Sequence, residues 1–533
     1  MSKDTFLKGA LILTVAGIIV KIIGSVNRIF LSRLLGGEGI GLYQMAYPIY
    51  LLALSVSSAG IPVAISIIVA EKVALQDYKG ANRVFNLSLK LLTVTGLLFS
   101  VLLFFGAGWL IENHFVRDPR AYYAIAALAP AIFFVTILSS YRGYFQGMQM
   151  MLPTGFSQIM EQFVRVVTMV GFAYFLLPQG LEYAAAGASF GAGPGAAAGL
   201  AVLIYCYWRY RGEFKRKMEN QPNIVQESGF SIITRIFKLA LPVSLANIML
   251  PVVSNIDLLI VPPRLEVAGY TVEQATELFG YLTGMAVPLV NMATILTASL
   301  AASLVPAISE AFTLGDKSGI YYRTKTAMRV ANTITIPAFV GMWLLATPIS
   351  SMLYGTPNAG IPIAISALGI FLLGIHQVTT GVLQGLGYTA IPVINMVISA
   401  GVKVVLSWTL TAMPSLGIIG ASWATIADFG VAAILNIFFV HKYTGFALDV
   451  KDTLKTGAAA AAMGIVCLGT YNFLFSHAIG NTLSTLTAIS LGGGVYGILL
   501  LVSGMIGESE LMRFPALGTR IVPILKKLKL LRR

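Results

Sequence analysis

The chain has 533 residues, 57% of them hydrophobic and 11% charged, with a formal net charge of +14 at pH 7 and a mean hydropathy of +0.81. Soluble domains run at about 45–50% apolar and about 25% charged. This composition argues against a soluble enzyme or a soluble nucleic-acid-binding protein, and for a chain that sits mostly in lipid.

An apolar run of about 20 residues crosses a bilayer as a helix. In chain order such runs predict helices over about 6–34, 41–71, 82–113, 119–148, 153–177 and 180–210. Six more follow over about 231–261, 273–310, 319–352, 359–385, 389–411 and 416–440, and two over about 452–477 and 482–506. The expected fold class is an all-α integral membrane protein of about fourteen transmembrane helices. Strict apolar/polar alternation is missing, which argues against a β-barrel. Lys3 and Lys8 precede a first run that is too long for a signal peptide and carries Lys21 and Arg28, so it reads as a retained helix. Several runs exceed the bilayer thickness and must tilt, kink or project into water. Pro48, Pro62, Pro288 and Pro306 are the kink sites expected. Cys206 and Cys467, the only cysteines, lie far apart in apolar segments and imply neither a disulfide framework nor a zinc site.

Cations gather in alternate breaks. Lys72, Lys79 and Arg83 follow the second helix; Arg209, Arg211, Lys215, Arg216 and Lys217 follow the sixth. Lys317, Arg323 and Lys325 follow the eighth, and Lys442, Lys451 and Lys455 the twelfth. The tail adds Lys526, Lys527, Lys529, Arg532 and Arg533, while Arg33, Arg117, Arg120 and Arg264 are exceptions in other loops. The positive-inside rule puts the basic breaks and both termini on the cytoplasmic side of a cell membrane. The tail is also suited to anionic lipid head groups.

The longest polar stretch, 209–230, divides the chain. It implies a first lobe over 1–210, a cytoplasmic linker over 211–230, a second lobe over 231–441, and two further helices with a basic tail over 442–533. A pattern recurs across this divide. The first copy has Gly143, Gln146, Gly147, Pro153, Arg165, Pro178 and Gly187-Ala188-Ser189; the second has Gly381, Gln384, Gly385, Pro392, Lys403, Pro414 and Gly420-Ala421-Ser422. Both copies start with a helix running out-to-in, so the repeat is parallel and implies two six-helix lobes related by an axis along the membrane normal.

Charge at mid-membrane costs about 2.5–3.5 kcal/mol on insertion scales and marks function. Counted along their helices, Lys21, Arg165 and Lys403 fall near the midplane, with Arg28 roughly 10 Å further out at about 1.5 Å per residue. Glu161 and Asp428 lie deep, and Asp257 nearer the outer face. Glu161 and Arg165, four apart, can pair on one helix; Lys403 can pair with Asp428 on the next. Lys21 and Arg28, seven apart, share one helix face and have no carboxylate in their helix. The expectation is a cavity in which Lys21, Arg28, Arg165 and Lys403 meet a multiply charged anion, phosphate or pyrophosphate. Glu161, Asp428 and Asp257 would then balance charge or couple a proton or cation. The first lobe, with Lys21 and Arg165, is the expected working side. Tyr43, Gln44, Asn291, His376, Gln377 and Asn395 read as interhelical polar contacts. No HExxH, Walker A, GxSxG or Cys-rich metal motif appears, so no enzyme, cofactor or nucleic-acid partner is expected.

The segments Arg142-GYFQGMQ and Ser157-QIMEQFVR are the most specific of a set that runs the length of the chain. The set includes Gly36-GEGIGLYQMAYP to Ala59-GIPVAIS, Tyr183-AAAGA, Leu304-VPAISE, Pro414-SLGIIGAS and Arg513-FPALG. It resembles the polysaccharide transporter branch of the multidrug/oligosaccharidyl-lipid/polysaccharide exporter superfamily. That resemblance implies a fourteen-helix, two-lobe, alternating-access flippase for an undecaprenyl-pyrophosphate-linked sugar, the peptidoglycan precursor lipid II. It also implies a role in peptidoglycan synthesis during sporulation, with membrane lipids and cell-wall synthesis proteins as partners. In related lipid II flippases, basic residues of the first helix face the cavity. Lys21 matches such a position, and the next family cation falls about where Asn27 stands, with Arg28 one residue beyond. Two alternatives stay open: a cation-coupled drug exporter of the same fold, and a non-transporting partner in a cell-wall complex.

Overall fold

The structure, a computed structural model, describes residues 3–58, 60–221 and 227–505. The basic tail (Lys526, Lys527, Lys529, Arg532 and Arg533), the Arg513 segment and the side chains of Lys3 and Lys8 lie outside the described residues. Every regular element among the described residues is a helix.

α1 spans Lys3–Ser58, with Gly36 (φ 66°, ψ −169°) as a non-helical residue inside it. Only glycine adopts such a conformation without strain, so the break expected over 35–40 is one residue long. α2 (Ile61–Ala74) opens with Pro62 in its first turn, so this proline starts a helix instead of kinking one. α3 (Tyr78–Glu112) is N-capped by Asp77, whose Oδ1 accepts from the Gly80 amide at 2.8 Å. α4 (Ala121–Gly147), α5 (Met151–Leu176), α6 (Leu181–Phe190), α7 (Ala192–Glu219) and α8 (Gly229–Val267) follow. The helix expected over 273–310 is broken: α9 (Val272–Phe279), a π-helical stretch Gly280–Ala286, α10 (Val287–Ala293) and α11 (Ile295–Thr313). α12 (Lys317–Leu344) and α13 (Ala346–Tyr354) are bent by 82° where one helix was expected over 319–352. α14 (Gly360–Ser366), α15 (Leu368–Gly385), α16 (Ala390–Leu410), α17 (Ile418–Thr444), α18 (Val450–Ser476) and α19 (Asn481–Val502) complete the chain.

Among the described residues 11 helices are long and apolar enough to cross a membrane, or 12 if the bent α12–α13 pair is one span. The expected fourteen is not reached by this count. One counted stretch, Ile12–Ala74, has 63 residues. Such a helix would measure about 95 Å if straight, three times the bilayer core of about 30 Å. It therefore holds more than one crossing, with Gly36 as the point where direction changes.

Packing divides the chain into two units, Met1–Glu266 with Tyr270–Gly280, and Val267–Gly269 with Tyr281–Arg533. This division lies beyond the polar stretch 211–230, because the segment after it is tied back to the first helices. Asn255 Nδ2 donates to the Pro48 carbonyl at 2.8 Å, and Thr276 Oγ1 to Asp118 Oδ2 at 2.8 Å. The first unit's core gathers Ile65 and Ile68 of α2, Phe85 of α3, Phe145 of α4 and Leu203 of α7. The second gathers Ile308 of α11, Met328 of α12, Val382 of α15 and Val440 of α17.

One packing scheme recurs in both units. α4 packs on α2, α3 and α7; α15 packs on α11, α12 and α17. α5 packs on α7 as α16 packs on α17. The duplicated glycines make close approaches between these helices. A Cβ on Gly143 would stand 2.7 Å from the Pro62 carbonyl oxygen, and one on Gly147 2.6 Å from Val69 Cβ. In the second copy, Gly381 and Gly385 would place a Cβ 2.7 Å from the Ala301 oxygen and 2.7 Å from Ile308 Cβ. Small residues four apart let helix backbones touch where lipid supplies no hydrophobic drive.

Candidate functional site

α1 and α5 lie side by side and run in the same direction. Gly155 faces Ala16, a Cβ on Gly24 would stand 3.3 Å from Gln162 Nε2, and Asn27 Nδ2 reaches Met169 Sδ at 3.4 Å. α7 closes on the other side of α5 through two more glycines. A Cβ on Gly195 would meet Arg165 Cβ at 2.7 Å, and one on Gly199 would meet Glu161 Cβ at 3.0 Å. These approaches fix the turn of α5 that carries the expected charges.

That turn holds a three-membered cluster. Glu161 Oε1 accepts from Arg165 Nη2 at 2.8 Å, and Glu161 Oε2 accepts from Arg142 Nη2 of α4 at 2.8 Å. Arg142 Nε also donates to Ser157 Oγ at 3.2 Å. The three charged side chains are only 14–17% exposed. Two cations share one carboxylate, so one positive charge is left over within an apolar span. Such a charge is costly unless a further anion answers it. The pairing of Glu161 with Arg165 is as expected from their spacing. Arg142 is the member that sequence reasoning missed as a site residue. Its signal was available: Ser157, Glu161 and Arg165 recur every four residues, a polar stripe on an apolar helix that needs a partner on its neighbour.

An aromatic ladder leads from this cluster along the second half of α1. Tyr43 and Tyr47 stack with ring centroids 5.4 Å apart, and Tyr50 follows at 5.9 Å. Arg165 has Tyr50, Tyr47 and Tyr43 as electrostatic neighbours. At the other end Arg28 lies 5.8 Å from the centroid of Tyr43, and its Nη1 donates to Gln44 Oε1 at 3.0 Å. Arg28 and Arg165 are thus the two ends of one polar seam on the first unit. Lys21, further along α1, is exposed and forms no ion pair among the described residues. Asp257, in α8, is half-buried.

The second unit is arranged differently. Lys403, the counterpart of Arg165 in the repeat, is 4% exposed. Asp428 Oδ1 accepts from Ser399 Oγ, one turn before Lys403, at 2.6 Å. Three of the weaker candidates join helices. Asn395 Nδ2 donates to Asn436 Oδ1 at 2.8 Å, Asn436 Nδ2 meets His376 Nδ1 at 3.2 Å and Thr380 Oγ1 at 2.9 Å, and Gln377 Oε1 accepts from Thr297 at 2.6 Å. α15, α16 and α17 are locked by this network, whereas the first unit offers charge.

Comparison with known proteins agrees with this architecture. Residues 6–312 match the family described as polysaccharide biosynthesis protein, and residues 242–409 match the family described as MatE. Stage V sporulation protein B of Bacillus subtilis is 32% identical over 524 residues, covering 98% of this chain and all of that protein. Lipid II flippase MurJ of the same organism is 28% identical over 515 residues, covering 92% of this chain and 94% of that protein. Among solved structures, a lipid II flippase MurJ in an inward closed conformation has a TM-score of 0.67 at 16% identity, covering 92% of this chain and 98% of that one. An inward-facing multidrug resistance MATE family transporter of the MOP superfamily has a TM-score of 0.68 at 16% identity, covering 82% and 98%.

Proposed function

The chain belongs to the polysaccharide biosynthesis protein family, and from that membership we propose that it flips an undecaprenyl-pyrophosphate-linked glycan, lipid II, across the cell membrane by alternating access. The family and fold make it a membrane transporter of the flippase and exporter type. The observation that carries the finer reading is the Arg142–Glu161–Arg165 cluster, with one positive charge in excess inside an apolar helix bundle. Guanidinium forks suit the paired oxygens of a pyrophosphate, whose charge would balance that excess.

In this reading the pyrophosphate enters from the cytoplasmic side, meets the exposed Lys21, and reaches Arg165 along the seam that Arg28 begins. The polyprenyl tail stays in lipid. The two lobes, with the linker 211–230 and both termini cytoplasmic, then rock to present the head group outside. Lys403 joins from the second lobe after that movement, and Asp428 and Asp257 balance charge. A membrane potential of 100 mV contributes about 2.3 kcal/mol per charge carried fully across, and a negative interior favours outward movement of an anion. The product would feed cell-wall or spore-cortex synthesis.

The test is reconstitution in proteoliposomes with fluorescent lipid II, reading head-group exposure in the outer leaflet. Wild type flips, and Arg165→Ala slows flipping by about ten- to a hundredfold, the loss of one charge-assisted hydrogen bond. Flipping unchanged in Arg165→Ala removes the site from the mechanism. Transport of organic cations in place of lipid II would favour the drug-exporter alternative.

A further inference from the structure

The two cations of the cluster differ in how their Nε–H donors are satisfied. Arg142 is fixed at two points, by Glu161 Oε2 at 2.8 Å and by Ser157 Oγ at 3.2 Å. Ser157 is itself anchored to the Thr154 carbonyl at 2.8 Å. Arg165 has the bond to Glu161 Oε1 at 2.8 Å and a side-chain hydrogen bond with Tyr50, but its Nε is buried without an acceptor. A guanidinium carries five N–H donors in a rigid fork, and the buried Nε of Arg165 is one still to be answered, whereas the Nε of Arg142 is taken by Ser157. Glu161 offers one oxygen to each arginine, an arrangement that two oxygens of a diphosphate reproduce with more charge.

We propose that Glu161 is a built-in competitor for the transported anion: in the empty site it occupies Arg165, and on substrate entry phosphate oxygens take Arg165 while Glu161 stays on Arg142. This rests on the function proposed above. Glu161 is a positioning residue in this scheme. It keeps two desolvated guanidiniums from repelling each other when no substrate is present, and it lowers affinity enough for the head group to leave. Arg142, tethered by Ser157, is the post to which Glu161 returns.

The test uses the full-length protein in nanodiscs, with inorganic pyrophosphate as the probe, read by calorimetry and thermal shift, and lipid II flipping in proteoliposomes. Glu161→Gln removes the competing charge. It is expected to melt below wild type without anion, to gain more melting temperature from pyrophosphate than wild type does, and to bind it about tenfold tighter. Its flipping is expected to be slower, because release is slower. Glu161→Asp keeps the charge but, one methylene shorter, cannot span both arginines, and is expected to fall between; it carries the test if Glu161→Gln does not fold. Pyrophosphate bound by Glu161→Gln and Glu161→Asp no more tightly than by wild type overturns the inference, even while Arg165→Ala weakens binding. Absence of pyrophosphate binding in every form overturns the functional reading, and this inference with it.

Discussion

Asp118 is 1% exposed and collects more hydrogen bonds than any sequence pattern announces. Its Oδ1 accepts from the Arg120 amide at 3.0 Å and from Arg120 Nε at 3.0 Å; its Oδ2 accepts from Arg120 Nη2 at 2.7 Å and from Thr276 Oγ1 at 2.8 Å. Arg120 Nη1 continues to Glu38 Oε1 at 2.6 Å. The carboxylate thereby ties the α3–α4 loop to α9, and through Arg120 to the start of the second half of α1. Asp118→Ala leaves Arg120 with Glu38 alone and strips the buried Thr276 of this acceptor. Breaking a buried pair costs about 3–5 kcal/mol. Arg120 is 31% exposed, so water recovers part of that, and about 2–4 kcal/mol is expected. At about 2 °C per kcal/mol for a unit of this size, the melting temperature should fall by roughly 4–8 °C. The assay is thermal unfolding of the purified chain followed by tryptophan fluorescence. Asp118→Asn, which keeps one acceptor, should lose less. A melting temperature for Asp118→Ala within about 1 °C of wild type would falsify the claim that this network holds the first unit together.

The remaining expectations concern other parts of the chain. Gly147→Leu and Gly385→Leu drive a side chain into Val69 and Ile308 respectively, and each should cost at least about 1–3 kcal/mol; Gly457→Ala, with nothing near its added Cβ, should leave the melting temperature unchanged. Asn436→Ala removes partners of Asn395, His376 and Thr380 at once, at a cost of about 1–3 kcal/mol visible as a lower melting temperature. Lys325, whose Nζ lies 2.9 Å from Asp449 Oδ2, holds the Asp449 carboxyl below its ordinary value. A depressed carboxyl stabilises above its unfolded pKa of about 3.9 and loses that contribution as pH falls through the folded value. Asp449→Asn should therefore weaken the chain at neutral pH and flatten the acid limb of a melting-temperature profile; parallel profiles for the two proteins would count against the pair.

The spans and the duplication were legible because both are written in hydropathy and in glycine spacing. Gly143/Gly147 and Gly381/Gly385 stood out as motifs before their backbone contacts were visible. The break at Gly36 was legible as the gap expected over 35–40, but the later ones were not: hydropathy does not register a π-helical stretch at Gly280–Ala286 or an 82° bend before Ala346. At the site, Glu161 and Arg165 followed from a local spacing. Arg142 did not, because its contact with them is between α4 and α5, and a lone arginine near a helix end reads as topology. The tyrosine ladder was invisible for a related reason: Tyr43, Tyr47 and Tyr50 recur at helical spacing, which in an apolar helix looks like ordinary packing.

The tie from Asn255 to Pro48 and from Thr276 to Asp118 also bears on how the chain is made. Units tend to fold in the order they leave the ribosome. The basic stretch around 209–230 looks like a natural resting point, yet the first unit is not complete there. It still lacks α8 and the segment to Gly280, which supply the bonds to the Pro48 carbonyl and to Asp118. Until those residues are inserted, the carboxylate of Asp118 lacks the Thr276 hydroxyl and the Pro48 carbonyl lacks the Asn255 amide. The half-made protein is therefore at its most vulnerable in the interval between the sixth predicted span and the π-helical stretch, when one copy of the duplicated scaffold is in the bilayer and its last fastening is still unsynthesised.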